Sequence, residues 1–112
     1  MYARLTIFQI KEDRIDEGIK IYEASVVPEA KKQKGYQGAY LLVDRSTGNG
    51  ISLTLWATEE DARANEENLY YQEQLVKFLN LFKFSSSPPI REGYEVIVQA
   101  MPKERSPKKG EK

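Results

Sequence analysis

The 112-residue chain contains neither histidine nor cysteine. The absence of cysteine excludes disulfides, iron–sulfur clusters, thiolate zinc sites and a thiol nucleophile within this chain. The absence of histidine excludes a proximal haem histidine, a histidine metal site and a serine–histidine triad. Chemistry is left to guanidinium, phenol, indole, hydroxyl and carboxylate groups. Arg4 stands inside an apolar N-terminal run, and an internal guanidinium there needs a carboxylate or a ligand anion. Glu95 and Glu73 are its candidate carboxylate partners. Tyr71 can donate a phenolic hydrogen bond to a ligand oxygen, although its place in an apolar stripe also suits packing. Trp56, the one tryptophan, suits a core position closing the gap between sheet and helix more often than a reactive role.

Other site chemistries find little support. Glu59-Glu60-Asp61 and Glu66-Glu67 are acidic runs, but adjacent helical residues point apart, and Glu59 to Asp61 read better as first-turn acids. Ser46-Thr47-Gly48-Asn49-Gly50 lacks the lysine and the following helix of a phosphate loop. No metal ligand set emerges.

The elements that must position these groups follow from periodicity. Tyr2 to Ile10 reads as a strand with Leu5 and Ile7 on one face and Arg4, Thr6 and Phe8 on the other. Asp13 is expected to cap a helix whose stripe is Ile15, Ile19, Tyr22 and Val26. Pro28 should interrupt that helix near residues 24–27, and Gly35 should stop it. Tyr36 to Arg45 and Ile51 to Trp56, joined by residues 46–50, form the clearest hairpin signal. Thr58 with Asp61 opens a second helix, with a break expected near residues 65–69. Its stripe runs Tyr71, Leu75, Phe78 and Phe82, and a last strand is expected over Tyr94 to Ala100. The resulting β-α-β-β-α-β order predicts a ferredoxin-like α+β fold. Its four-stranded antiparallel sheet has strand order 4-1-3-2 and both helices on one face. An RNA-recognition fold shares that order, but Ile51 to Trp56 offers one aromatic and no basic residue, so no nucleic-acid partner is expected.

Three stretches carry a family resemblance: the short first strand, Gly35-Tyr36-Gln37-Gly38-Ala39-Tyr40 leading into the second, and Leu53-Thr54-Leu55-Trp56-Ala57-Thr58-Glu59-Glu60-Asp61-Ala62. Over residues 2–100 the chain resembles the antibiotic biosynthesis monooxygenase group of dimeric α+β barrels. That resemblance implies a cofactor-independent monooxygenase-like protein holding a small aromatic substrate between sheet and helices. Its members place tryptophan, asparagine, tyrosine and arginine in the cavity. Trp56 matches the tryptophan position, while Arg4 and Tyr71 complete a candidate catalytic set suited to stabilising an anion. Thr6, Ser52, Thr54, Leu75 and Phe78 are the candidate substrate-binding residues; Thr54 is smaller than the residue relatives often carry there. No cofactor is implied. The haem-degrading members use a histidine on the second helix, where this chain has Tyr71, Gln74 and Leu75. The alternative is the same fold serving as a non-catalytic binding or structural module.

The sheet face bearing Leu5, Ile7, Leu53 and Leu55 lacks helices, and a second copy packed sheet to sheet is the expected cover. Lysine plus arginine and aspartate plus glutamate are both 17, so the formal charge is zero. The charge is uneven, with five basic and two acidic residues over 101–112. A domain over 1–101 and a mobile basic tail over 102–112 are expected. No apolar run is long enough for a spanning helix, so no membrane partner and a cytoplasmic location are expected.

Overall fold

The computed structural model describes residues 1–83 and 88–102. The elements in chain order are β1 (Tyr2–Gln9), α1 (Ile15–Ile21), a π-helical segment (Tyr22–Val26), α2 (Val27–Lys31), β2 (Tyr36–Val43) and β3 (Asn49–Trp56). There follow α3 (Glu59–Glu67), α4 (Tyr70–Val76) and β4 (Ile90–Glu95), with 3-10 turns over Glu12–Arg14 and Leu79–Leu81. One antiparallel sheet in the order β2-β3-β1-β4 carries the helices on one face, as periodicity predicts. Among the described residues, no helix is long and apolar enough to cross a membrane.

Pairing places Thr6 opposite both Ser52 and Arg91, and Arg4 opposite both Thr54 and Gly93. All six therefore lie on the face turned towards the helices, because side chains alternate along a strand. Leu5, Ile7, Leu53 and Leu55 lie on the opposite face. The main core cluster joins Ile10, Ile15, Tyr22 and Val26 to Phe78, Leu81 and Phe82 at one end of the helix layer.

Four local expectations need revision. Asp13 does not cap α1: residues 12–14 form a 3-10 turn, and Arg14 occupies the N-cap without a side-chain bond. The second-helix stripe is not one continuous helix, since α4 ends at Val76. Phe78 and Phe82 lie beyond it and stack with ring centres 6.2 Å apart. The last strand begins at Ile90, not Tyr94. Tyr2 pairs with Glu95 at the start of β1, so the sheet offers Ile97 and Val98 no continuing partner. Glu95 thus ends β4 and makes no ion pair with Arg4, which bonds Glu66. The tail expected over 102–112 lies outside the described residues beyond Pro102.

Two helix irregularities match the sequence. Thr58 Oγ1 accepts from Asp61 N–H at 3.0 Å, the expected cap. The interruption before Pro28 takes the form of the π-helical segment, where Val27 N–H bonds Tyr22 O five residues back. Pro28 has no N–H to donate to residue 24, so the wider turn avoids an interior break.

Gly48 fixes the hairpin against the chain leaving β1. It sits at φ 80°, and Ile10 N–H donates to its carbonyl at 2.8 Å. A Cβ there would lie 1.9 Å from Ile10 O, a backbone atom. Gly48→Ala is therefore expected to destabilise the fold by about 2 kcal/mol or more, combining left-handed strain with this overlap. Urea unfolding of the variant measures the loss directly; an unchanged midpoint would remove Gly48 from this role.

Candidate functional site

A cavity of about 60 Å³ lies between the helix-facing side of the sheet and the helix layer. The sheet contributes Thr6, Leu41, Ser52, Thr54, Trp56 and Arg91; Tyr22, Asn65, Tyr71, Gln74, Leu75 and Phe78 come from the other side. One water needs roughly 10–15 Å³ of such space, so the hollow holds about four waters and encloses only part of an aromatic ligand.

Of the residues the sequence singled out, Trp56, Tyr71, Thr6, Ser52, Thr54, Leu75 and Phe78 all line this cavity. Arg4 does not. It borders a separate surface hollow with Tyr2, Glu59, Ala62 and Arg63. Its guanidinium is bound to Glu66 on α3, with Nε donating to Oε2 at 3.0 Å. Gly93 explains the path: it faces Arg4 across the sheet, and a Cβ there would lie 2.5 Å from Arg4 Nη1.

The guanidinium in the cavity wall belongs to Arg91, on β4. Its Nε donates to Glu66 Oε2 at 2.9 Å and its Nη1 to Thr6 Oγ1 at 2.9 Å. The guanidinium carbon stands 3.9 Å from the centre of the Tyr71 ring, close enough for cation–π attraction. Two guanidiniums therefore share one carboxylate oxygen, which leaves one positive charge in excess in this cluster. Burial pushes the Arg91 pKa below its ordinary value, while Glu66 opposes that shift. Starting the last strand at Tyr94 put Arg91 outside the sheet in the sequence reading. Alternation from Ile90 would have placed it beside Thr6.

Several polar groups are already satisfied within the fold. Trp56, fully buried, donates its indole N–H to Thr54 Oγ1 at 2.9 Å. Tyr70 donates to Val26 O at 3.2 Å, and Tyr22 lies 3.1 Å from Ser52 Oγ. Gln74 Oε1 accepts from Ser25 Oγ at 2.9 Å. Periodicity could place Tyr22 and Gln74 on inward stripes, but it could not assign these partners. Among the described residues, no group of three or more carboxylates forms a metal cluster.

The break between α3 and α4 sets the direction of the tyrosines. Leu69 adopts φ 70°, and Asn68 Oδ1 accepts from Tyr70 N–H at 3.0 Å. A leucine in the left-handed region costs about 1–2 kcal/mol, which the burial of Tyr70 and the stacking of Tyr71 on Arg91 help to offset.

No family model matches the chain. The uncharacterized protein Rv2557 of Mycobacterium tuberculosis is 37% identical over 66 residues, covering 59% of this chain but 28% of that protein. The chain thus matches little more than a quarter of that relative's length. Among solved structures, a Nitrosomonas europaea protein assigned to antibiotic biosynthesis monooxygenases superposes with TM-score 0.69 at 15% identity. It covers 88% of this chain and 100% of that one. The Streptomyces coelicolor monooxygenase ActVA-Orf6, in complex with nanaomycin D, gives TM-score 0.70 at 13% identity over 90% and 91% of the two chains. The fold is that of the antibiotic biosynthesis monooxygenases. The same fold carries other chemistry: the heme-degrader MhuD of M. tuberculosis superposes with TM-score 0.65 at 12% identity over 90% of this chain and 100% of that one. Activity must therefore be argued from the site.

Burial raises the pKa of Tyr22 and of Tyr70 above the ordinary tyrosine value near 10. A raised folded-state pKa gives stability that is complete below the unfolded value and is lost as pH rises towards the folded one. Stability should therefore fall above about pH 10 as the unfolded tyrosines ionise first. Tyr70→Phe should cost about 1 kcal/mol at neutral pH by removing the bond to Val26 O. It should also flatten the alkaline slope. Urea unfolding of both proteins between pH 8 and 11 tests both effects.

Proposed function

We propose that the chain binds a small electron-rich aromatic compound in the cavity between sheet and helices and promotes its cofactor-independent oxygenation. The observation that carries this reading is the Arg91 guanidinium stacked on Tyr71 in the wall of an aromatic-lined hollow. Two guanidiniums against one carboxylate favour an anion at that wall. ActVA-Orf6, which has this fold and is described as a monooxygenase, supports the reaction type by analogy.

In this scheme the substrate supplies the electrons. A hydroxyaryl or anthrone-like compound loses a proton to water, and its carbanion or enolate combines with dioxygen to form a carbon–oxygen bond. The resulting peroxide anion takes back a proton from water, and the hydroperoxide loses water to leave a carbonyl, so one oxygen atom enters the product and the other departs as water. Arg91 and Tyr71 hold the anion and its developing oxyanion, Trp56 forms part of the aromatic wall, and Thr6 orients Arg91. Arg4 acts at one remove by sharing Glu66 with Arg91.

A specific observation favours a second reading, a non-catalytic binding module. The Trp56 indole N–H and the Tyr70 hydroxyl are committed to partners within the fold. Oxygen uptake with hydroquinone- and anthrone-like compounds, with and without chelator, separates the two readings. Catalysis predicts chelator-insensitive acceleration. Arg91→Ala or Tyr71→Phe should then reduce it on the order of 100-fold while the fold is retained. No acceleration across the panel, or full activity in both variants, leaves the binding module.

The assembly proposed with this function is a homodimer through the open sheet face. Tyr40 and Tyr94 are 56% and 54% exposed there, and Leu42 and Ile90 are nearly as open. They extend the patch of Leu5, Ile7, Leu53 and Leu55, and contiguous exposed apolar surface of this kind marks an interaction site. A second copy would bury roughly 2,000 Å² or more in total. Sedimentation at micromolar concentration should give a dimer, and Leu53→Asp should give monomer or aggregate; a wild-type monomer would refute the assembly.

A further inference from the structure

One buried polar atom of a residue that lines the cavity has no partner. Asn65 is 1% exposed and lines the hollow, and its Oδ1 is the single fully buried side-chain oxygen or nitrogen among the described residues without a hydrogen bond. Its orientation is fixed from the other end of the amide. Nδ2 donates to Ala62 O at 2.6 Å and lies 3.5 Å from Asp61 O. Turning the amide over would set its oxygen against those two carbonyls, so the acceptor end stays where it is.

The donors around the cavity do not reach it. The Trp56 indole N–H goes to Thr54, the Tyr70 hydroxyl to Val26 O, and Arg91 Nε and Nη1 to Glu66 and Thr6. Buried acceptors in folded proteins are nearly always paired, and an exception calls for a physical reason. An acceptor held in place by its own amide, on a residue that lines an aromatic hollow, supplies one: its partner arrives with the ligand.

We infer that Asn65 is a specificity-determining residue whose Oδ1 accepts a hydrogen bond from a ring hydroxyl or N–H of the bound aromatic compound. The cavity then selects ring compounds that carry a donor over their methyl ethers. This rests on the proposed binding of an aromatic compound in the same cavity and adds which substituent that compound must bear. Arg91 and Asn65 divide the polar work: the guanidinium favours an oxygen bearing negative charge, and the amide oxygen favours a neutral donor. A hydroxyaryl compound with a second oxygen function satisfies both.

The full chain, titrated separately with phenol, anisole and toluene, tests the assignment. Trp56 is the one tryptophan, and its indole N–H resonance is a unique NMR reporter within the cavity wall. Phenol should bind about tenfold more tightly than anisole, the scale of one neutral hydrogen bond made or lost. The Asn65 side-chain NH₂ resonances should move with phenol and stay still with anisole. In Asn65→Leu the two affinities should become equal, with anisole binding retained. If that variant does not fold, the wild-type ratio and the NH₂ resonances carry the test alone. Equal wild-type affinities for phenol and anisole, as a water on Oδ1 would give, or a preference that survives in Asn65→Leu, overturn the role of Asn65 and leave an aromatic pocket standing. No shift of the indole resonance with any probe overturns the pocket and the Asn65 assignment together.

Discussion

The Glu66 carboxylate is the contact on which the rest of the site depends. It accepts from Arg4 on β1 and Arg91 on β4, and so pins α3 to two strands at once. Its side chain and both guanidiniums are mostly but not fully buried. Attraction between such charges is therefore stronger than at an open surface, and their desolvation is incomplete. Removing the carboxylate would leave two like charges facing each other beneath a helix. The position of Arg91 over Tyr71, and hence the polarity of one cavity wall, follows from this shared contact.

The remaining walls are built by mutual satisfaction. Trp56 and Thr54 pair on one strand, Tyr22 reaches Ser52 across the gap, and Tyr70 returns to Val26. These bonds hold aromatic side chains at set distances without filling the centre. Tyr36 meets Trp56 edge-on with ring centres 6.0 Å apart, which supports the indole from the end of β2. A hollow bounded in this way is pre-formed, so little ordering is left for a ligand to supply.

The fold was legible because its signals are local and periodic. Alternation over Tyr2–Gln9 and Asn49–Trp56 assigned both sheet faces correctly, and Thr58, Pro28 and Asn65–Leu69 marked helix start, distortion and break. Strand four was misread because Val96, Ile97 and Val98 look more strand-like than Arg91, Glu92 and Gly93. Pairing length decided otherwise, since the ladder between β1 and β4 runs from Ile7 opposite Ile90 to Tyr2 opposite Glu95, with one further bond from Val96 N–H to Met1 O. That single boundary hid Arg91. Arg4 was placed on the correct face, but its reach depends on the empty space over Gly93 across the sheet, which no local pattern records. Asn65 read as a weak helix former, and its burial became visible only once α3 lay on the sheet.

The wide turn between α1 and α2 alters how this helix meets the sheet. Its buried positions Gly18, Tyr22, Val26 and Ala30 recur at every fourth residue. In a regular α-helix each such step advances about 40° beyond a full turn, so three steps would wind the contact line roughly a third of the way round the cylinder. The extra residue in the π turn cancels part of that winding and keeps the line nearly parallel to the axis. The turn therefore works as a phase adjuster. A change of one residue in helix length can be absorbed there, leaving Ile15 at one end and Ala30 at the other still facing inward.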